Sequence, residues 1–232
     1  MQTRLFFTGG QGLKLPYVCY DTVNSWQKVS ADTVCTANTL TFNAAKTGKY
    51  VILLAQDAAG GVPDSCWAKE NIDKFLSKYD LSDVFIGIDK SFAPEDTVSG
   101  KEMILLYEKL LDKSGESVGL DVRQKAMSLE LDSIINYNNI MGNITRQEMA
   151  AILVRIYSVK LGVDSESLKT GKNIFIKDEV QVGGKYYKYV LLVIDRNMLT
   201  IDSNANFNPR SFMTCAQVIT ALVLLLEQTG DF

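Results

Sequence analysis

Three times along this chain a Ser or Thr stands three positions ahead of a Glu or Gln and directly before a long apolar stretch. The sites are Ser99-Gly-Lys-Glu102, Thr145-Arg-Gln-Glu148 and Thr214-Cys-Ala-Gln217. In such a capping box the hydroxyl and the side chain three residues on satisfy backbone N–H groups that the first turn of a helix leaves without partners. Behind each box the large apolar residues recur at helical spacing. They are Ile104, Leu105, Tyr107 and Leu111 in the first, Met149, Ile152, Leu153 and Ile156 in the second, and Ile219, Leu222, Val223 and Leu226 in the third. That spacing predicts three helices, each burying one face. One starting device used before three helices of similar length marks an internal repeat, which restricts most of the chain beyond residue 60 to a helical, repetitive fold.

The parts upstream of the caps also recur. Phe92-x-Pro94 and Phe207-x-Pro209 each precede their cap residue by the same interval, whereas the middle stretch replaces that loop with a shorter connection through Asn138 to Asn143. A further helix is expected ahead of each loop. SCWAKENIDKFLSKY places Ile72, Phe75, Leu76 and Tyr79 on one face, RQKAMSLELDSIINYNN occupies the middle unit, and YYKYVLLVIDRNMLTI the last. The repeats so defined run over 62–113, 114–162 and 163–232. Within the third, Tyr186, Tyr187 and Tyr189 cannot all share a buried helix face, so at least one hydroxyl is expected in solvent.

Residues 1–59 have a different character. LKLPYVCYDT, SWQKVSAD, NTLTFNAA and KYVILLAQ are rich in β-branched and aromatic residues and are separated by Gly, Asn, Asp and Lys-Thr-Gly turns, as in antiparallel strands. A segment this short forms a small sheet module, alone or as part of a sandwich. DAAGGVP, at 57–63, reads as the hinge before the helical part. The fold class is therefore α+β, mainly helical, with an N-terminal antiparallel β module in 1–59 and the repeats in 60–232.

Composition narrows the function. With no histidine among 232 residues, Ser-His-Asp and Cys-His catalysis and every His-containing metal motif are excluded. The 24 basic and 27 acidic residues leave a net charge of −3, and no Lys/Arg run suggests a nucleic-acid partner. Cys19, Cys35, Cys66 and Cys215 contain no Cys-x-x-Cys pair. Free buried thiols are their commoner fate, and a Cys19–Cys35 disulfide is the alternative if the protein is extracellular. MQTRLFFTGG lacks the apolar core of a secretory leader, and VITALVLLLE is too short to span a membrane. If the protein is exported, its leader is expected to have been removed from this chain.

Trp67-Ala68 near the first helix, the two Phe-x-Pro loops, Ile144-Thr145-Arg146-Gln147-Glu148 and the apolar helix behind each cap together resemble a bacterial S-layer homology triplet over residues 62–232. The β segment before them is similar, more loosely, to the one that often precedes such triplets in secreted surface proteins. The resemblance implies a pseudo-threefold bundle with the capped helices at its centre. It implies non-enzymatic anchoring at the cell surface to a secondary cell-wall polysaccharide, often pyruvylated, without a metal or other cofactor. Self-association into an extracellular layer or filament on the same scaffold is the alternative role.

Arg146 is the residue on which the binding expectation rests. A cation in the first turn of a helix is opposed by the helix dipole, and a ligand carboxylate would gain a charge-assisted hydrogen bond together with that dipole. The plainer reading makes Arg146 a solvated residue or the partner of a local Asp or Glu. Thr145 and Glu148 would fix the helix end that presents it. The motif arginine is Gly100 in the first repeat and Cys215 in the third. Lys101 and Arg210 are the nearby cations that substitute in part, although an ammonium lacks the bidentate fork of a guanidinium. Trp67 could stack on a sugar ring, but an aromatic at a helix start more often packs in the core.

Other patterns carry less. Asp202-x-Asn204-x-Asn206 begins like a calcium loop, but Phe207 replaces the expected glycine and Met213 the closing Glu. Gly9-Gly10-x-Gly12 lacks the lysine of a phosphate-binding loop and reads as a turn. Acidic pairs such as Asp178-Glu179 carry no specificity for glycoside hydrolysis without geometry.

Overall fold

The computed structural model describes residues 2–6, 16–22, 25–28, 34–36, 39–44, 47–54, 62–79, 81, 84–85, 93–111, 119–135 and 140–232. The Gly9–Gly12 turn, Phe92 and most of the 57–63 hinge fall outside these residues, as do the side chains of Cys19 and Cys35. By contacts the chain divides into two compact units, Met1–Ala93 with Leu226–Phe232, and Pro94–Leu225. This division runs elsewhere than the compositional one at 59/60, because the first unit includes a helix as well as the strands.

The first unit holds two antiparallel three-stranded sheets. β2 (Pro16–Thr22) is central in one, between β3 (Ser25–Lys28) and β6 (Tyr50–Leu54), and β5 (Thr39–Asn43) is central in the other, between β1 (Gln2–Phe6) and β4 (Val34–Thr36). Pairing of Tyr20 with Tyr50 and of Val18 with Ile52 sets the register in the first sheet, and pairing of Phe42 with Thr3 sets it in the second. Val18 and Phe42, from different sheets, are buried together, and the Phe42 ring lies 5.0 Å from that of Tyr50. The two sheets therefore face one another across a small apolar layer, as in a sandwich. The four expected strands are present. β1 and β4 are two further short strands. In α1 (Lys69–Lys78) Ile72, Phe75 and the following Tyr79 are buried as the spacing predicts, whereas Leu76 is half-exposed.

The second unit is helical. α2 (Gly100–Leu110), α4 (Arg146–Leu161) and α6 (Cys215–Thr229) are the three capped helices, with α6 running on past Leu225. α3 (Val122–Ser128) packs against α2, and α5 (Tyr187–Asp195) along α4. The expectation of a single buried face is corrected for the capped helices. In α4 every residue from Met149 to Val154 is buried, together with Ile156 and Ser158, so the helix is enclosed around most of its circumference. An apolar sequence without a polar stripe is what such an interior position requires. α4 ends where Gly162 adopts φ 65°, a left-handed conformation that glycine takes without a Cβ penalty.

The segments leading into the capped helices are joined in a closed ring. Val98 N–H donates to the Met213 carbonyl at 2.9 Å, Ile144 N–H to Val98 at 2.9 Å, and Met213 N–H to Ile144 at 3.1 Å. Each of these residues stands immediately before a cap, and all three are buried. Buried backbone groups must find partners, and here the three segments supply them to one another in cyclic order.

Candidate functional site

The start of each capped helix is built on the same plan. Glu102 Oε2 accepts from both the N–H and the hydroxyl of Ser99 at 2.7 Å, and Glu148 Oε2 accepts from those of Thr145 at 2.7 and 2.6 Å. Gln217 Oε1 accepts the Thr214 N–H at 3.3 Å. The next two N–H groups of each helix donate to a loop belonging to a different capped helix. Gly100 and Lys101 donate to Gly142 and Ile140, Arg146 and Gln147 to Ser211 and Pro209, and Cys215 and Ala216 to Asp96 and Pro94. At the start of α4 the Arg146 and Gln147 N–H groups are therefore already used by protein carbonyls.

Arg146 does not extend freely into solvent. Its guanidinium lies 5.0 Å from the centre of the Phe207 ring, Nη2 donates to the Thr200 carbonyl at 2.6 Å, and Nη1 approaches the Met213 sulfur at 3.8 Å. Phe207 is fully buried, and its N–H and that of Asn208 donate to the two carboxylate oxygens of Asp178, each at 2.8 Å. Burial pushes the Arg146 pKa below the ordinary guanidinium value. The partners that hold Arg146 are all neutral, and among the described residues no carboxylate pairs with it. Neither the solvated reading nor the local ion pair describes this side chain. It is a partly desolvated cation with no counter-charge among the described residues, which is an electrostatically expensive arrangement.

Thr145, Arg146, Glu148 and the loop carrying Arg210 come together at the start of α4. Arg210 is exposed between Pro209 and Ser211, whose carbonyls accept the α4 N–H groups. Lys101 is exposed at the start of α2, against the loop that contains Met141. Trp67 belongs to the other compact unit, in a turn ahead of α1. It is 62% exposed, so the core-packing alternative for it does not hold. At the two positions equivalent to Arg146, Gly100 is closed in by backbone and Cys215 is buried.

Other side chains around α4 have contacts that the sequence reading did not assign. Gln147 Oε1 accepts the Gly183 N–H at 2.9 Å, and the buried Tyr186 hydroxyl donates to the Ile134 carbonyl at 2.7 Å. Burial, followed by the charge of Glu148, raises the Tyr186 phenol to about 12. Tyr187 is the exposed member of the tyrosine group, its hydroxyl donating to Glu179 at 3.1 Å. Asp178 and Glu179 thus have separate duties, one inside a loop and one on the surface. Asp202 accepts the N–H groups of Asn204 and Asn206 at 2.8 and 2.9 Å, as the anchor of its own turn.

No protein-family model matches this chain, and no curated protein matches it in sequence. Among the described residues, no helix is long and apolar enough to cross a membrane.

Proposed function

We propose that residues 62–232 are a degenerate S-layer homology triplet, arranged about a pseudo-threefold axis, that anchors a bacterial surface protein non-covalently to cell-wall polysaccharide. What carries the binding reading is Arg146, a partly buried guanidinium whose partners among the described residues are all neutral, beside the exposed Arg210. A sugar carboxylate entering there would supply the missing negative charge and occupy guanidinium N–H groups that Thr200 and Met213 leave over. The repeat reading is supported by the cyclic bonding of the three pre-helix segments and by the identical offsets of the loop carbonyls from each cap. On this reading the chain is a binding module without chemistry of its own, secreted and held at the wall.

The test is co-sedimentation of the full chain with purified cell walls, before and after removal of the secondary polysaccharide. Binding is expected to the intact wall alone, and Arg146→Ala is expected to weaken it at temperatures where the variant keeps its helical circular dichroism. Unchanged sedimentation of the variant overturns the role of Arg146; no binding to either preparation overturns anchoring.

A second reading, a subunit of an extracellular layer or filament, draws on the exposed apolar side chains of Met141 and Phe212 in the loops beside the caps. Ordered polymers in negative-stain micrographs would favour it, and a monomer at every concentration tested would remove it.

A further inference from the structure

The loops that lead into the capped helices carry an anion, an apolar side chain and a cation at one equivalent position. Three residues ahead of the ring residues Val98, Ile144 and Met213 stand Glu95, Met141 and Arg210. The equivalence is structural. Carbonyls on either side of Glu95 accept the first two N–H groups of α6, those flanking Met141 accept from α2, and those flanking Arg210 accept from α4. The hydrogen-bonded ring gathers the three helix starts at one end of the second unit, so these residues stand around a common rim. All three are exposed, Met141 at 68%, and Phe212, two residues after Arg210, is 55% exposed.

Along the rim one loop is acidic, with Glu95 and Asp96, one is uncharged around Met141, and one is basic and apolar, with Arg210 and Phe212. Among the described residues neither the Glu95 nor the Arg210 side chain has a partner. Such a rim is complementary to itself. A two-fold axis lying in the plane of three positions on a ring, and passing through one of them, exchanges the other two. With the axis at Met141, a second copy sets its Arg210 over Glu95 and its Glu95 over Arg210, and the two Met141 side chains meet. An axis at Glu95 or at Arg210 would instead put like charges face to face, which is costly.

We propose that this rim is a self-association surface, on which two copies of the chain meet end to end about a two-fold axis at Met141, with Glu95 of each against Arg210 of the other. Met141 and Phe212 supply the apolar area that the contact removes from water. The contact is isologous and closes at two chains, which separates it from the growing layer or filament considered above. Arg146 takes no part, being held by Phe207 and Thr200 of its own chain. Arg210 stands both in this contact and beside Arg146, so pairing of chains and attachment to the wall draw on the same loop.

Sedimentation velocity of the full chain over a concentration series tests the proposal. The expected result is a reversible monomer–dimer equilibrium with no larger species. Arg210→Glu and Glu95→Arg each place like charges in both contacts, and each should weaken the dimer by about tenfold or more. Mixed in equal amounts, the two variants regain opposite charges at both contacts and should form a heterodimer of about the original affinity. Both side chains are exposed, so each variant should keep the helical circular dichroism of the parent. A monomer at every concentration, growth beyond two chains, a dimer that persists in both variants, or a mixture that associates no better than either variant alone overturns the proposal. No polysaccharide enters the measurement, so each of these outcomes leaves the anchoring reading as it stands.

Discussion

At the scale of single residues, the residues that open the three capped helices, Gly100, Arg146 and Cys215, show how packing decides what chemistry a position can carry. Arg146 is tolerated because an aromatic face, a carbonyl and a sulfur replace part of its hydration. Gly100 is there for space, since the Ile140 carbonyl occupies the room a side chain needs. Gly100→Ala should therefore cost about 1–3 kcal/mol in urea unfolding, while Gly184→Ala, with nothing within 4 Å of its Cβ, should change little. Equal effects would mean that the loop yields easily. Cys215 and Tyr186 add a pH dependence. Each is neutral when protonated, and folding raises its pKa to about 12, from 9.0 for the thiol and 10.0 for the phenol. The unfolded chain therefore releases these protons first, so stability is complete below about pH 9 and falls as pH rises toward about 12. Cys215→Ala should remove the part of that fall that begins near pH 9, as read from urea midpoints between about pH 8 and about pH 11. A slope unaltered by the substitution would contradict a buried, protonated thiol.

Among the elements, the capping boxes position the candidate site, because they fix where each helix begins and which residue stands first. Glu148→Ala leaves the Thr145 N–H and hydroxyl without their acceptor at a partly buried helix start. It should lower stability by about 1 kcal/mol, and calorimetric melting at concentrations where the chain is monomeric, compared with Glu95→Ala, an exposed loop residue ahead of α2, would measure it. Those starts were legible in the sequence because a cap is a local device, readable from residues three apart. Asp121-x-x-Gln124, a fourth capping box that opens α3, went unread because only seven helical residues follow it and no apolar stripe draws attention to it. Burial around α4 was also missed. Its periodic residues Met149, Ile152, Leu153 and Ile156 suggested one face, but Ala150, Ala151 and Val154 are small enough to meet neighbours on the other sides. At the site, Arg146 could be picked out by its place in the motif, whereas Thr200 could not. Thr200 contributes a backbone carbonyl, which every residue possesses, so no side-chain pattern distinguishes it. The close approach at Gly100 escaped for the same reason, since it depends on where the Ile140 backbone runs.

For the molecule as a whole, the closed ring through Val98, Ile144 and Met213 ties residues distant in sequence into one cooperative element. Each N–H in the ring is donated to the next segment, so releasing any one segment breaks two of the three bonds and strands buried backbone groups. Neighbouring bonds from Gly100, Arg146 and Cys215 to the adjoining loops would be lost in the same opening. Local unfolding of a single helix start is therefore disfavoured relative to opening of the three together. Native-state hydrogen exchange should find the Val98, Ile144 and Met213 amides protected with opening free energies within about 1 kcal/mol of one another, above those of the amides in the exposed Ser165–Ser167 turn. If Val98 opened separately, the three starts would be independent units that merely touch. A common opening would mean that the geometry presenting Arg146 depends on the segments at Val98 and Met213 as much as on its own helix.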